Sequence, residues 1–308
     1  MSSFFASLSA PYRRSFNVNG TLSEALLWPA KLPPRIVLLM IPGNPGLIAF
    51  YSEFLSAIHN QNPDIEIIGV SHQGHTIFEA DSGELVVPSQ VHSFNHQISH
   101  IKLLFKEITS IYSRNSTNKT DIPAPKFVLC GHSVGAYICQ EVLKEYPQHV
   151  NKVISLFPTV MHIQKTPNGQ NLRWLFKPFI YTIRKLNAPR PCYNRNKQML
   201  KISTKNLTLA LSFSFNTRQT LMNCLNMAHG EMSTILDLDT NTYEKYGDRF
   251  IMYYGTSDSW VPLNHFETMK TYNRKGKVYL CEKNLSHSFV LNQSFQMAEY
   301  VNQWIKDF

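Results

Sequence analysis

Short apolar runs along the chain alternate with longer stretches whose apolar positions recur every three or four residues. The first pattern is that of strands buried on both faces, the second that of helices with one apolar face. Residues 35–41 (Arg-Ile-Val-Leu-Leu-Met-Ile) predict a strand, and 47–60 a helix whose buried face carries Phe50, Tyr51, Phe54, Leu55 and Ile58. Residues 65–70 predict a second strand, 91–113 a long amphipathic helix through Ile98, Ile101, Leu104, Phe105 and Ile108, and 127–130 a third strand. A helix through Ala136, Ile138, Cys139, Val142 and Leu143 stops at Pro147, and 153–157 predict a fourth strand. Alternation of this kind builds a mostly parallel sheet with helices on both faces. Ahead of it, 15–18 and 21–28 flank Asn19-Gly20, a residue pair suited to a tight hairpin turn. The alternation breaks from 160 to 248, too long a stretch to lack structure of its own. It resumes with strands at 249–254 and 277–281, a helix near 264–273 and a final helix at 292–305. The expected architecture is one α/β domain over 1–308 with an inserted helical cap at 160–248.

The strand at 127–130 runs into Gly131-His132-Ser133-Val134-Gly135, a match to G-x-S-x-G between a strand and a helix. A serine at the apex of such a turn projects its hydroxyl away from the sheet, and flanking glycines spare the neighbouring backbone a collision. Serine is a weak nucleophile until an imidazole takes its proton, and the imidazole needs a carboxylate to fix its tautomer. An α/β sheet presents its chemistry at the carboxyl ends of its strands. Asp258 follows the strand at 249–254 and His287 follows the strand at 277–281, so Ser133, Asp258 and His287 stand in the order expected of a catalytic triad. Asp237, Asp239 and Asp248 precede their strand and lie at its wrong end, and His265 falls within a helix pattern.

An oxyanion hole needs two N–H donors. One is expected from Val134, next to the nucleophile. The other must come from the loop Pro42-Gly43-Asn44-Pro45, where the prolines have no N–H; of Gly43 and Asn44, Asn44 is favoured. His72 with His75, and His96 with His100, are close enough in sequence to suggest metal-ligand pairs. Neither is joined by a Cys/His cluster, so they read as satisfied loop or core histidines, with no metal and no organic cofactor expected.

Composition narrows the class. A hydrophobic fraction of 43% with 17% charged residues is that of a folded globular chain. No apolar run reaches the ~18 residues of a spanning helix. Arg13 and Arg14 follow the first apolar residues instead of preceding them, unlike a signal peptide. The five cysteines are odd in number and show no CxxC spacing, which suits a reduced, intracellular protein. The net charge of +9 is concentrated: residues 151–230 contain no Asp or Glu and twelve Lys or Arg. Interleaved with these are Trp174, Phe176, Phe179, Tyr181, Phe213 and Phe215. Aromatic and basic residues mixed in this way suit a surface lying in a lipid interface. No nucleic-acid motif accompanies the charge, and no nucleic-acid partner is expected.

Taken together, these residues make the chain resemble the lipid droplet-associated hydrolase family of the α/β-hydrolase superfamily. The resemblance covers almost the full length. It rests on Ile41-Pro42-Gly43-Asn44-Pro45-Gly46 followed by Phe50-Tyr51, on Ser71-His72-Gln73-Gly74-His75, and on Gly131-His132-Ser133-Val134-Gly135. It rests also on Leu156-Phe157-Pro158-Thr159, Thr166-Pro167-Asn168-Gly169, Tyr253-Tyr254-Gly255-Thr256, and Cys281-Glu282-Lys283-Asn284 leading to His287. The resemblance implies a serine ester hydrolase of neutral-lipid or sterol-ester turnover, on the cytosolic face of lipid droplets and the endoplasmic reticulum. It further implies that 160–230 helps hold the protein on the lipid monolayer. Ser286 stands before His287 where the family pattern leads one to expect proline, a departure expected to loosen the histidine loop. Competing expectations are a droplet-surface protein with a hydrolase scaffold and little turnover, and a soluble small-ester esterase or thioesterase.

Overall fold

A computed structural model describes residues 11–116, 124–172 and 217–308. The N-terminal hairpin forms as expected, β1 (Tyr12–Val18) and β2 (Thr21–Trp28) pairing antiparallel about Asn19-Gly20. Then follow β3 (Ile36–Ile41), a 3-10 turn (Ile48–Tyr51) leading into α1 (Ser52–Gln61), β4 (Ile65–Val70), the short ladder β5 (Phe78–Glu79) and β6 (Leu85–Val86), and α2 (Phe94–Ser116). The Ser133 turn joins β7 (Lys126–His132) to α3 (Val134–Glu145), followed by β8 (Val150–Leu156). Beyond it come α4 (Arg218–Thr234), α5 (Thr240–Tyr246), β9 (Phe250–Tyr254), α6 (Leu263–Tyr272), β10 (Lys277–Leu280) and α7 (Ser294–Ile305).

Eight strands form one sheet in the order β1-β2-β4-β3-β7-β8-β9-β10. All neighbours from β4 to β10 are parallel, and β2 alone runs against them, pairing antiparallel with β4 on one side and β1 on the other. The two-residue period of a strand sorts the side chains between the two faces. In β3, Val37, Leu39 and Ile41 join the core beneath α2 and α3, while Ile36, Leu38 and Met40 join the core shared with α1 and α7. In β9 the same division puts Met252 and Tyr254 on one face and Ile251 and Tyr253 on the other. Both faces are buried, which is why these strands read as unbroken apolar runs rather than alternating ones.

Of the 160–248 segment, residues 173–216 lie outside the described residues, and with them most of the basic and aromatic run. The described remainder divides between two places. α4 packs on α2 and on the 3-10 turn Ile163–Lys165. α5 joins the helical layer of the core, where buried Tyr243 donates its hydroxyl hydrogen bond to Gln140 Oε1 at 2.7 Å. Cys130, Cys139, Cys224 and Cys281 are free and buried.

Candidate active site

The registers align the carboxyl ends of the strands. Ile41 pairs with Gly131, His132 with Leu156, Leu156 with Tyr253 and Tyr254 with Leu280. The loops that follow β3, β7, β9 and β10 therefore open on one edge of the sheet. Ser133 sits at the turn between β7 and α3 with φ 54° and ψ −122°, a left-handed conformation that non-glycine residues adopt only where the surroundings enforce it. Its N–H is held by the Leu156 carbonyl at 2.9 Å. The turn is possible because Gly135 passes against β3: a Cβ there would press on the carbonyls of Ile41 and Pro42. We expect Gly135→Ala to destabilise the fold by about 1–3 kcal/mol, as overpacking against backbone does, seen as a thermal midpoint several degrees lower, with hydrolysis falling alongside it.

The three residues expected to act together meet. His287 Nδ1 donates to Asp258 Oδ2 at 2.6 Å, and the Ser133 hydroxyl reaches His287 Nε2 at 3.0 Å. The carboxylate can only accept, so Nδ1 carries the proton and Nε2 is left free to take one. The other carboxylate oxygen, Asp258 Oδ1, accepts from the N–H groups of Trp260 (2.8 Å) and Val261 (3.0 Å). Burial pushes the Asp258 carboxyl up, but the hydrogen bond and charge of His287, with those two N–H groups, outweigh it and hold it below the ordinary carboxylate range. The histidine loop is tied despite its departure from the family pattern: the Ser286 N–H, which a proline would lack, donates to Gln293 Oε1 at 2.8 Å.

The other acids and histidines do different work. Asp239 caps α5 through Thr242 and pairs with Lys144 at 3.0 Å, Asp237 and Asp248 are exposed, and His265 is buried in α6. His72 Nε2 donates to the Pro42 carbonyl at 2.9 Å and His75 Nδ1 to the Pro45 carbonyl at 2.7 Å. Both histidines thus buttress the loop 42–46 from the neighbouring strand end, and burial lowers their pKa values to about 3 and about 4. On α2, His96 pairs with Gln73 and His100 with Ser23.

Two features escaped the sequence. His132, the variable residue before Ser133, is buried between both halves of the site. Its Nε2 donates to the His287 carbonyl at 2.9 Å, and its Nδ1 accepts from the Tyr51 hydroxyl at 2.6 Å. Tyr51 in turn accepts the Gly43 N–H at 2.9 Å. Gly43 has therefore spent its N–H, and of the two candidates in this loop Asn44 is the one whose main-chain N–H has no acceptor among the described residues. The loop lies close against Ser133, since a Cβ on Gly43 would stand 2.9 Å from Ser133 Cβ. Val134, the other expected donor, opens α3, where the first N–H groups have no partner within the helix. The second feature is α4. Leu221, Cys224, Leu225, Ala228, Glu231 and Met232 form one stripe along it, roofing a cavity of about 410 Å³ whose floor holds Ser133 and His287. The remaining wall is largely apolar, with Phe50, Ile163, Trp260 and Val290. The size and character suit a small-molecule or lipid-chain site.

This arrangement can carry out acyl transfer: a nucleophile with its base, an oriented base, and N–H donors beside an apolar cavity. Solved structures of similar shape include a carboxylesterase of the thaumarchaeon Nitrososphaera gargenis, with TM-score 0.63, 12% identity, and 95% of this chain and 97% of that chain covered. A loop variant of a haloalkane dehalogenase from Bradyrhizobium elkanii aligns with TM-score 0.64 and 13% identity over 96% of each chain. Those two act on different bonds, so their likeness establishes the α/β-hydrolase fold and not the reaction. The lipid droplet-associated hydrolase of Gallus gallus is 31% identical over 298 residues, covering 89% of this chain and 86% of the relative. The family profile for lipid-droplet associated hydrolases matches residues 34–290. With the fold, the aligned strand ends and this extent of match in agreement, the chain belongs to the lipid-droplet associated hydrolase family.

Proposed function

We propose that the protein is a serine ester hydrolase acting on lipid esters of the sterol-ester or acylglycerol class, with Ser133, His287 and Asp258 as its catalytic triad. The observation that carries this reading is the hydrogen-bonded Ser133–His287–Asp258 chain at the floor of an apolar cavity. Ser133 Oγ attacks the ester carbonyl while His287 Nε2 takes its proton, and Asp258 stabilises the imidazolium that forms. The N–H groups of Val134 and Asn44 receive the oxyanion. Collapse of the tetrahedral intermediate expels the alcohol, protonated by His287. Water, deprotonated by the same imidazole, then releases the acid from the acyl-enzyme. None of these steps calls for a metal or organic cofactor.

The relatives' names attach them to lipid droplets. We extend that place to this chain: the cytosolic face of lipid droplets and the endoplasmic reticulum, in lipid storage and turnover, with 160–230 contacting the monolayer and a cap inserted within 160–248 of which α4 is the described roof, α5 belonging to the core layer. No helix among the described residues is long and apolar enough to cross a membrane, so contact through one leaflet is the geometry proposed. The test is labelling with a fluorophosphonate probe, followed by a hydrolysis panel of triacylglycerol, sterol ester and short p-nitrophenyl esters, presented on artificial droplets. Labelling at Ser133 with lipid-ester turnover is expected. Absence of labelling would favour a scaffold without turnover. Hydrolysis of short esters alone, unchanged when droplets are omitted, would favour a soluble esterase.

A further inference from the structure

Among the described residues lining the cavity, Glu231 is out of keeping. It is a carboxyl set in a mostly apolar wall, 6% exposed, on the helix that roofs the nucleophile. Burying such a group costs stability unless something is gained from it. Its recorded partner is the Asn44 side chain: Nδ2 of Asn44 donates to Glu231 Oε1 at 3.2 Å and to the Cys224 carbonyl at 2.9 Å. Cys224 and Glu231 are two turns apart on the same face of α4, so both hydrogens of the Asn44 amide are taken up by one helix. From below, the flanking carbonyls of Pro42 and Pro45 are held by His72 and His75. The one peptide N–H in this loop pointed to as an oxyanion donor is thus fixed from above by α4 and from below by the end of β4.

We propose that Glu231 is a positioning residue of the oxyanion hole: from α4, its carboxyl holds the Asn44 side chain and thereby sets the Asn44 main-chain N–H that receives the oxyanion. The proposal rests on the reading of Ser133 as nucleophile and Asn44 as donor. It makes the hole a joint product of the sheet and the roof helix. α4 itself does not depend on this one contact, since Asn223 Nδ2 donates to the Gly74 and Gln90 carbonyls and Asn226 Nδ2 to the His92 carbonyl. Loss of Glu231 should therefore loosen Asn44 without undocking the helix.

The charge state of Glu231 provides a readout that a merely structural group would not. Burial raises its pKa from 4.5 to about 8, with the Asn44 hydrogen bond acting the other way. Several titratable groups surround it: the Cys224 thiol on its own helix, His72 and His75 behind the loop, His132 and His287 across the cavity, His92 just ahead of α2 and His96 on it. Burial keeps Cys224 protonated, with a pKa of about 12, and lowers those of His72, His75 and His132 to between about 3 and about 4. It lowers those of His92 and His96 as well. Among the described residues, then, no fixed cation offsets a carboxylate at this place. Near neutrality Glu231 is protonated and its carbonyl oxygen accepts from Asn44. Once ionised, it adds negative charge close to where the oxyanion develops, and the transition state is disfavoured.

The experiment measures kcat and KM for p-nitrophenyl butyrate from pH 6 to 10 in wild type, Glu231→Gln, Glu231→Ala and Asn44→Ala. We expect Glu231→Ala to lower kcat about ten- to a hundredfold with KM within about threefold, the cost of a misplaced donor. Asn44→Ala should do the same, and a further variant combining Glu231→Ala with Asn44→Ala should lose no more than either alone. Glu231→Gln, which keeps the acceptor oxygen, should restore kcat to within about threefold of wild type. It should also remove the fall in kcat expected of wild type above about pH 8. An identical alkaline profile in wild type and Glu231→Gln, or a Glu231→Ala effect confined to KM, would overturn the proposal. The Glu231→Gln comparison decides the matter even where Glu231→Ala does not fold. Undiminished hydrolysis by Ser133→Ala would instead overturn the reading of the active site itself.

Discussion

Ser133→Ala is expected to reduce kcat for any ester the protein hydrolyses by about 10,000- to 1,000,000-fold, the range seen when a triad nucleophile is removed. In the proposed mechanism the Ser133 oxygen forms the acyl-enzyme, and it stands 3.0 Å from His287 Nε2 on the cavity floor. The residual rate comes from the N–H groups and the cavity, which still bind the polarised carbonyl. The fold should barely respond. The main-chain bond from residue 133 to the Leu156 carbonyl is unaffected, and alanine bears the φ of 54° about as serine does. The loss is one side-chain hydrogen bond, about 1 kcal/mol. A stopped-assay rate with a thermal melt on the same sample checks both halves. Full activity in a well-folded variant would remove Ser133 from the mechanism.

Asp258→Asn is expected to lower kcat by about 10,000-fold with little change in KM. The reason is visible in how the carboxylate is held. Oδ1 accepts two main-chain N–H groups, from Trp260 and Val261, so an asparagine oxygen must take that position. Its NH2 then faces His287 Nδ1 where a carboxylate oxygen stood. Two donors cannot share that contact, so the imidazole turns to the tautomer with Nε2 protonated and can no longer accept from Ser133. Stability gives a second readout. The folded carboxyl of Asp258 is depressed, so the unfolded chain binds the proton first as pH falls. The contribution of Asp258 is present above the unfolded carboxylate pKa of about 3.9 and is lost as pH drops through the folded value. Acid unfolding of Asp258→Asn should lack that part of the slope. A variant with unaltered kcat would mean that Asp258 does not set the His287 tautomer.

The apolar runs predicted the sheet closely. Residues 65–70 are β4 to the residue, and the strands at 35–41, 249–254 and 277–281 differ from β3, β9 and β10 by one residue at one end. The strand before Ser133 is longer than its apolar run because pairing with β3 and β8 continues through Gly131 and His132, whose side chains carry no hydrophobic signal. The 160–248 stretch resolved least well. Its residues 218–234 form α4, but 240–246 form α5, which belongs to the core layer, and apolar content alone does not say which neighbour a helix packs on. The ladder β5–β6 was missed because two-residue strands are too short to show a period.

Ser133, Asp258 and His287 could be picked out because each follows a strand, and a parallel sheet brings strand ends together whatever lies between them. Strand periodicity, the Asn19-Gly20 turn and the glycines around Ser133 are set within a few residues by backbone sterics and side-chain size, and so are written locally in the chain. The partnerships that tune the site are not. Tyr51, His132 and the His287 carbonyl meet only when α1, β7 and the histidine loop pack on one another. Asn44 meets Glu231 across 187 positions because α4 lies over the loop after β3. No local pattern marks a buried histidine as a brace or a cavity carboxyl as a clamp. That role depends on distance and on exclusion of water, and both come into being only when remote segments pack together.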